Sequence, residues 1–264
     1  MSEGQFYTTQ LQAGLGLIGE TKSLLRRWQP GMSTQDLYND ALDSGEFPHV
    51  TSRRLRNIVA ECFAPRFLNS DYKPVHWLQL LNDKISERSL NQMFFIFTAR
   101  ANLIFRDFVT EIYWDKYASG YIDLASEDAQ DFIHRANVDG KTKQLWSDTT
   151  KKRQASYLIG ACMDYGLLKK LNRTTREITS IRIDPKTVIL LAYDLHLQGI
   201  QDNNLINHRD WFLFGLDRDA VLDEIKRLSV YKLWIIQVAA DVVSISWAYK
   251  TMEEVVDVVI EAGL

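Results

Sequence analysis

Apolar residues recur at spacings of three and four along most of this chain, most clearly at Leu90, Phe94, Phe97, Ala101 and Ile104. That period suits an α-helix with one buried stripe and does not suit a strand, so the chain is constrained to pack helix against helix over most of its length. Turn and capping residues mark the ends. The pattern predicts a helix from Leu11 to Trp28, stopped by Pro30-Gly31, and a short one from Ser33 or Thr34 to about Leu42. After Ser44-Gly45 and Phe47-Pro48, a third runs from Thr51 or Ser52 to about Phe63, with Leu55, Ile58, Val59 and Cys62 on one face and Pro65 closing it. Further helices are predicted over Val75 to Leu81, Ser86 to about Phe105, Arg106 to Tyr117, and Ser126 to Ala136.

The period changes in the last part of the sequence. Ser147 can cap a helix through about Tyr165, with Gly166 suited to a left-handed C-terminal cap. Leu167 to Leu171 then reads as a strand, Asn172 to Thr175 as a turn, and Glu177 to Ile183 as the returning strand. Asp184-Pro185 opens a helix to about His196, Asp217 caps another to Leu228, Leu233–Val238 with Val242–Trp247 reads as a hairpin, and Thr251 caps a terminal helix. No internal repeat is visible. The expected fold is mainly α with small β hairpins: a helix-turn-helix-like N-terminal region over residues 1–70, a helical middle over 71–138, and a winged-helix-like C-terminal region with an acidic extension over 139–264.

A chain of 264 residues, 46% of them apolar, can bury a sizeable core. Its two cysteines, Cys62 and Cys162, exclude a disulfide framework and fit a reducing compartment. Met1 to Phe6 lacks the basic start of a signal peptide, and the apolar stretch Met93 to Phe105 is short and carries Arg100. The expectation is a cytoplasmic protein with no membrane association. The formal net charge is −3, but it is unevenly spread. From Asp139 to Arg182 there are ten Lys/Arg against four Asp/Glu, whereas from Ile183 to Leu264 there are seven against thirteen. A polyanion responds to the local patch, so the first of these stretches is the place to look for nucleic-acid contact.

Two basic constellations stand out. The helix predicted after Thr51 opens with Arg53, Arg54 and Arg56, and an N-terminal helix turn with arginine forks beside it can hold phosphate or reach guanine edges. The plainer reading is a solvated face on a helical hairpin. The second constellation places Lys151, Lys152 and Arg153 at a helix start, Lys169 and Lys170 after Gly166, and Arg173 and Arg176 at a hairpin tip. Helix, strand, turn and strand in that order outline a winged helix, with a helix for the major groove and a basic wing for the adjacent backbone. Here the plainer reading is a basic module used for protein contacts.

Catalytic signatures are absent from the sequence. None of the five histidines forms HExxH, and neither cysteine lies in a CxxC, so no metal site or cofactor is expected. Gly14-Leu15-Gly16-Leu17-Ile18-Gly19 spells G-x-G-x-x-G without a preceding strand and reads as small residues for close helix packing. Asp194, His196, Asp202, His208 and Asp210 could hold a divalent metal for phosphodiester hydrolysis, but their spacing fits no motif and loops are rich in such residues. Arg100 and Arg106 read as structural arginines among aromatics.

Several segments resemble the BrxA family: Leu11-Gln12-Ala13-Gly14-Leu15 with Glu20-Thr21-Lys22, Ser52-Arg53-Arg54-Leu55 with Ile58, Phe108-Val109-Thr110-Glu111-Ile112-Tyr113, and Trp146-Ser147-Asp148-Thr149-Thr150-Lys151 leading into Tyr165-Gly166-Leu167-Leu168. The resemblance lies in their order and spacing over residues 10–185. It implies an accessory factor of a BREX phage-defence system, working alongside a DNA methyltransferase and large ATPases. It also implies binding to double-stranded DNA without catalysis, and other BREX proteins as partners. Residues beyond 185 exceed the resemblance. Their acidic balance leaves open a scaffold that docks partners through this third, and basic helical folds leave RNA open as the ligand.

Overall fold

Side-chain caps decide where the first helices begin. The structure, a computed structural model, describes residues 6–13, 17–68 and 74–261. After a 3-10 turn at Gln10–Ala13, helix α1 spans Ile18–Arg27 and α2 spans Thr34–Asp43. A capping box starts α2: the Asp36 amide donates to Ser33 Oγ at 3.1 Å, and the Ser33 amide donates to Asp36 Oδ2 at 2.9 Å. Arg27 ties α1 to α2 through Asp40 (2.6 Å) and to the connection after α2 through Glu46 (2.9 Å). Helix α3, Ser52–Asn57, starts where Thr51 Oγ1 accepts from the Arg54 amide at 3.2 Å. The single helix expected from Leu11 to Trp28 is thus a short turn and a separate helix, with residues 14–16 outside the described residues.

Pro65 does not close the third helix. A π turn over Ile58–Phe63 carries α3 into α4, Ala64–Phe67, so that Pro65 falls at the start of a fresh helical segment, where its missing N–H is not needed. Helix α5 spans Val75–Leu81 and α6 spans Glu87–Ala101. The continuous helix expected to Phe105 breaks at Asn102, whose backbone is extended (φ −129°, ψ 92°) and whose buried side-chain amide donates to the Thr98 carbonyl at 3.0 Å. Helix α7, Leu103–Phe108, then runs through a second π turn, Val109–Tyr113, into α8, Trp114–Ala118.

A short strand that the sequence pattern did not predict follows: β1, Asp123–Ala125. It leads into α9, Ser126–Val138, and α10, Asp148–Asp164, and then into β2, Leu168–Lys170, and β3, Thr175–Ile178. The three strands form an antiparallel sheet in the order β1-β3-β2. The return strand expected to reach Ile183 stops at Ile178, because the backbone beyond takes other partners: the Thr179 carbonyl accepts from Tyr113 Oη. Leu124 pairs with Arg176, and Leu168 with Ile178, so these four side chains share one face. Leu124 and Leu168 are buried, which makes this the inner face; Asp123, Glu177 and Lys169 lie on the other.

Helix α11, Pro185–Leu197, is capped by Asp184 and buried continuously from Thr187 to Leu195. Helix α12 spans Asp202–Ile206, α13 spans Arg218–Leu228, β4 (Trp234–Ala239) pairs with β5 (Val242–Trp247), and α14 spans Met252–Glu261. No described helix is long and apolar enough to cross a membrane.

The chain divides into two compact units that are not consecutive in sequence. The first comprises Met1–Lys73 and Phe95–Ile181, with aromatic contacts such as Phe67 on Phe97 and Phe108 on Phe132 in its core. The second comprises Pro74–Phe94 and Arg182–Leu264. Here α14 packs Met252, Val255, Val256 and Val259 into the interior, against α11 and α5. Trp211 and Trp234 are buried with their indole N–H groups donated to the carbonyls of Leu205 and Ile225 at 2.8 and 2.9 Å. That satisfies the polar end of a large apolar side chain.

Candidate nucleic-acid interface

Helix α10 starts at Ser147, whose Oγ accepts from the Thr150 amide at 3.2 Å. It buries Gln154, Ala155, Leu158, Ile159, Ala161 and Cys162. The side chains left exposed between Thr149 and Ser156 are Thr149, Lys152, Arg153 and Ser156. Their spacing of three and four puts them on one face, which carries two cations and two hydroxyls, with the exposed carboxylate of Asp148 at its N-terminal edge. Neither Lys152 nor Arg153 makes an ion pair among the described residues. Lys151 differs: it folds back onto Asp148 at 2.8 Å with its side chain only 19% exposed. That contact holds the Asp148 carboxyl below the usual range.

The turn between β2 and β3 is tied down from several sides. Asn172 Oδ1 accepts from the amides of Thr174 and Thr175, both at 2.9 Å. The Thr174 carbonyl accepts from the amide and hydroxyl of Ser126 at 3.0 and 2.9 Å, fixing the turn to the start of α9. Arg176 donates to the carbonyls of Asn172 (2.8 Å) and Thr175 (3.0 Å), and its Nε to Met163 Sδ at 3.2 Å. Its guanidinium is therefore committed to the turn. Arg173 at the tip is exposed; its carbonyl accepts from Arg176 at 3.4 Å, while its guanidinium has no hydrogen-bond or ion-pair partner among the described residues. Lys169 and Lys170 are exposed on β2, opposite Glu177 and Arg176 respectively.

The N-terminal set sits on α3. Arg53 and Arg54 are exposed without ion-pair partners among the described residues, whereas the Arg56 guanidinium lies 5.1 Å from the Tyr38 ring centre and braces α3 on α2. Both sets belong to the first unit, and the 3-10 turn at Gln10–Ala13 packs against α10 and against the π turn that continues α3. Sequence reasoning passed over Lys143, exposed in the connection into α10, although it lies within the basic stretch counted above. It also passed over the tie between Ser126 and Thr174, a long-range contact that no local pattern reveals.

The hydrolytic grouping is taken up by the second unit's own structure. Asp194 is buried and accepts from Gln198 Nε2 at 2.9 Å; Asp202 Oδ1 accepts from the Ile245 amide at 2.9 Å. His196 stacks on Trp247 with ring centres 4.4 Å apart and an interplanar angle of 10°. Burial holds its imidazole below the ordinary value. His208 Nδ1 accepts from the amide of Asp210, which is buried. Among the described residues, no three or more His, Cys, Asp or Glu side chains are grouped to hold a metal ion. Of the glycine-rich run, Gly14 and Gly16 lie outside the described residues, and Gly19 has open space where a Cβ would point, so close packing does not explain it.

No curated protein matches the chain. Among solved structures, an uncharacterized protein from Magnetospirillum magneticum is similar with a TM-score of 0.59 and 15% identity, over 77% of this chain and 97% of that one. At that identity the likeness is one of fold. Residues 5–194 match the BrxA family, a span that takes in α3, α10 and the turn after β2. With that much of its length matched, the chain belongs to the BrxA family.

Proposed function

We propose that this protein binds double-stranded DNA through its first unit, without catalysing a reaction on it. BrxA membership associates the chain with BREX phage defence, and DNA binding is the activity that best suits the surface just described. One observation carries the reading: the face of α10 at Thr149, Lys152, Arg153 and Ser156 is exposed and basic, with a single carboxylate, Asp148, at its start, and that carboxylate is paired with Lys151. The order around it supports a winged-helix reading. Strand β1, helices α9 and α10, and strands β2 and β3 follow one another, and β1 closes the sheet beside β3. In that reading α10 enters the major groove and the turn at 171–174 is the wing. Helices α2 and α3 give a second, helix-turn-helix-like pair, from which Arg53 and Arg54 reach phosphates.

Contacts of this kind go mostly to phosphates, so affinity falls steeply with salt and depends weakly on sequence. A gel-shift titration of the full chain against a short duplex, repeated over a series of salt concentrations, tests this. Retardation that weakens as salt rises supports it. No retardation at low salt refutes it, and stronger retention of an RNA duplex of equal length transfers the assignment to RNA.

A further inference from the structure

We infer that Arg173 reads the width of the DNA minor groove and so gives this protein a preference for A-tract DNA beside the segment held by α10. The inference rests on the DNA-binding reading above. It starts from a contrast between two arginines three residues apart. Arg176 commits its guanidinium to turn carbonyls, that of Arg173 among them, while the exposed Arg173 guanidinium has no partner among the described residues.

The turn is unusually well fixed for an exposed loop. Asn172 Oδ1 closes it from inside, Arg176 binds its outer carbonyls, and Ser126 ties Thr174 to the start of α9. A tip held in this way loses little further freedom on binding, so the cost of ordering falls mainly on the Arg173 side chain itself. The tip is also slim. Arg173 is flanked by Asn172 and Thr174, both exposed, short and uncharged. A minor groove about 6 Å wide admits a single extended side chain with neighbours of that size and excludes bulkier tips.

The chemistry selects arginine for such a place. A-tracts narrow the minor groove and deepen its negative potential, and a guanidinium, more weakly hydrated than an ammonium, enters it at lower desolvation cost. Lys169 and Lys170, exposed on opposite faces of the strand leading to the tip, then lie where phosphates on either side can be met. Discrimination thus comes from DNA shape at positions whose base edges are never read.

The test uses the full-length chain and two labelled duplexes of equal length and charge, one carrying an A-tract and one a G·C-rich tract, measured by fluorescence anisotropy at fixed salt. The expected result is about tenfold tighter binding to the A-tract duplex. Arg173→Lys should abolish the difference, with the larger loss of affinity on the A-tract duplex, since the charge is kept and the planar guanidinium is lost. Equal weakening on both duplexes would make Arg173 a phosphate contact and overturn the inference. So would equal affinity of the unaltered protein for the two duplexes, with steep salt dependence retained on both; DNA binding itself would stand. Failure to bind either duplex at low salt overturns both readings.

Discussion

Replacing Lys152 and Arg153 together by alanine removes both cations from the exposed face of α10. Neither side chain is buried or ion-paired among the described residues, and alanine is the better helix former, so folded stability should stay within about 0.5 kcal/mol. The effect on DNA binding is much larger and has a signature. Each phosphate contact contributes about −0.9 to the slope of log K against log salt, so losing two makes the slope shallower by about 1.8. Referred to about 1 M salt, where the counterion contribution vanishes, this weakens binding roughly 30-fold at about 0.15 M and roughly 200-fold at about 0.05 M. Anisotropy titrations of a labelled duplex across that range measure both the slope and the fold-change. Lys226→Ala, an exposed cation on α13 in the second unit, serves as the control and should leave the slope unchanged. A double variant whose titration line coincides with that of the unaltered protein would refute the placement of α10 on DNA.

Arg176→Ala should lower stability by about 1 kcal/mol in urea unfolding, because it frees the carbonyls of Asn172 and Thr175; no change would mean that the turn is held without it. Asp217→Ala removes an N-cap whose Oδ1 accepts from the Ala220 amide at 2.9 Å, for a loss of about 1 kcal/mol in the same assay. Trp211→Ala empties a fully buried site and orphans the Leu205 carbonyl, costing about 3–5 kcal/mol. His196 sets a pH dependence: burial holds its folded-state value below the ordinary 6.5, so above 6.5 both states are neutral and nothing is gained or lost. As pH falls through 6.5 the unfolded chain takes a proton that the folded one resists, and stability drops. His196→Gln should shrink the difference between urea midpoints at about pH 7.5 and about pH 5.5, and an undiminished difference would assign the acid loss to other groups.

Much of this fold was legible because its signals are local. Ser33, Thr51, Ser147, Asp184 and Asp217 all accept from backbone amides at helix starts, as their residue types and positions suggest. The β4–β5 hairpin follows from its β-branched and aromatic pattern. Misreadings arose where a contact that the residue pattern does not display overrides a local rule. Strand β1 has three residues, too few to show a period, and exists through its pairing with β3, some fifty positions on. Pro65 is tolerated because a π turn, built on the burial of Ile58, Val59, Cys62 and Phe63, resets the helix ahead of it. Asn102 breaks an otherwise apolar helical run through one side-chain hydrogen bond.

The candidate site was legible as a region, and the fold then divides its ten cations by their surroundings. Lys151, three residues from the carboxylate of Asp148, is neutralised locally; Arg56 is drawn onto an aromatic ring; Arg176, on the inner face of its sheet, is consumed by the turn it supports. Arg53, Arg54, Lys152, Arg153, Lys169, Lys170 and Arg173 are exposed, and their side chains make no hydrogen bond or ion pair among the described residues. Composition could not have made that division, because it counts all ten alike. The same sorting would let a chain of net charge −3 attract a polyanion, as the proposed function requires. The acidic excess from Ile183 to Leu264 belongs wholly to the second unit, and the basic stretch up to Ile181 to the first. At physiological salt the screening length is about 8 Å, so a phosphate backbone responds to the cations it touches and hardly at all to the sum over the molecule.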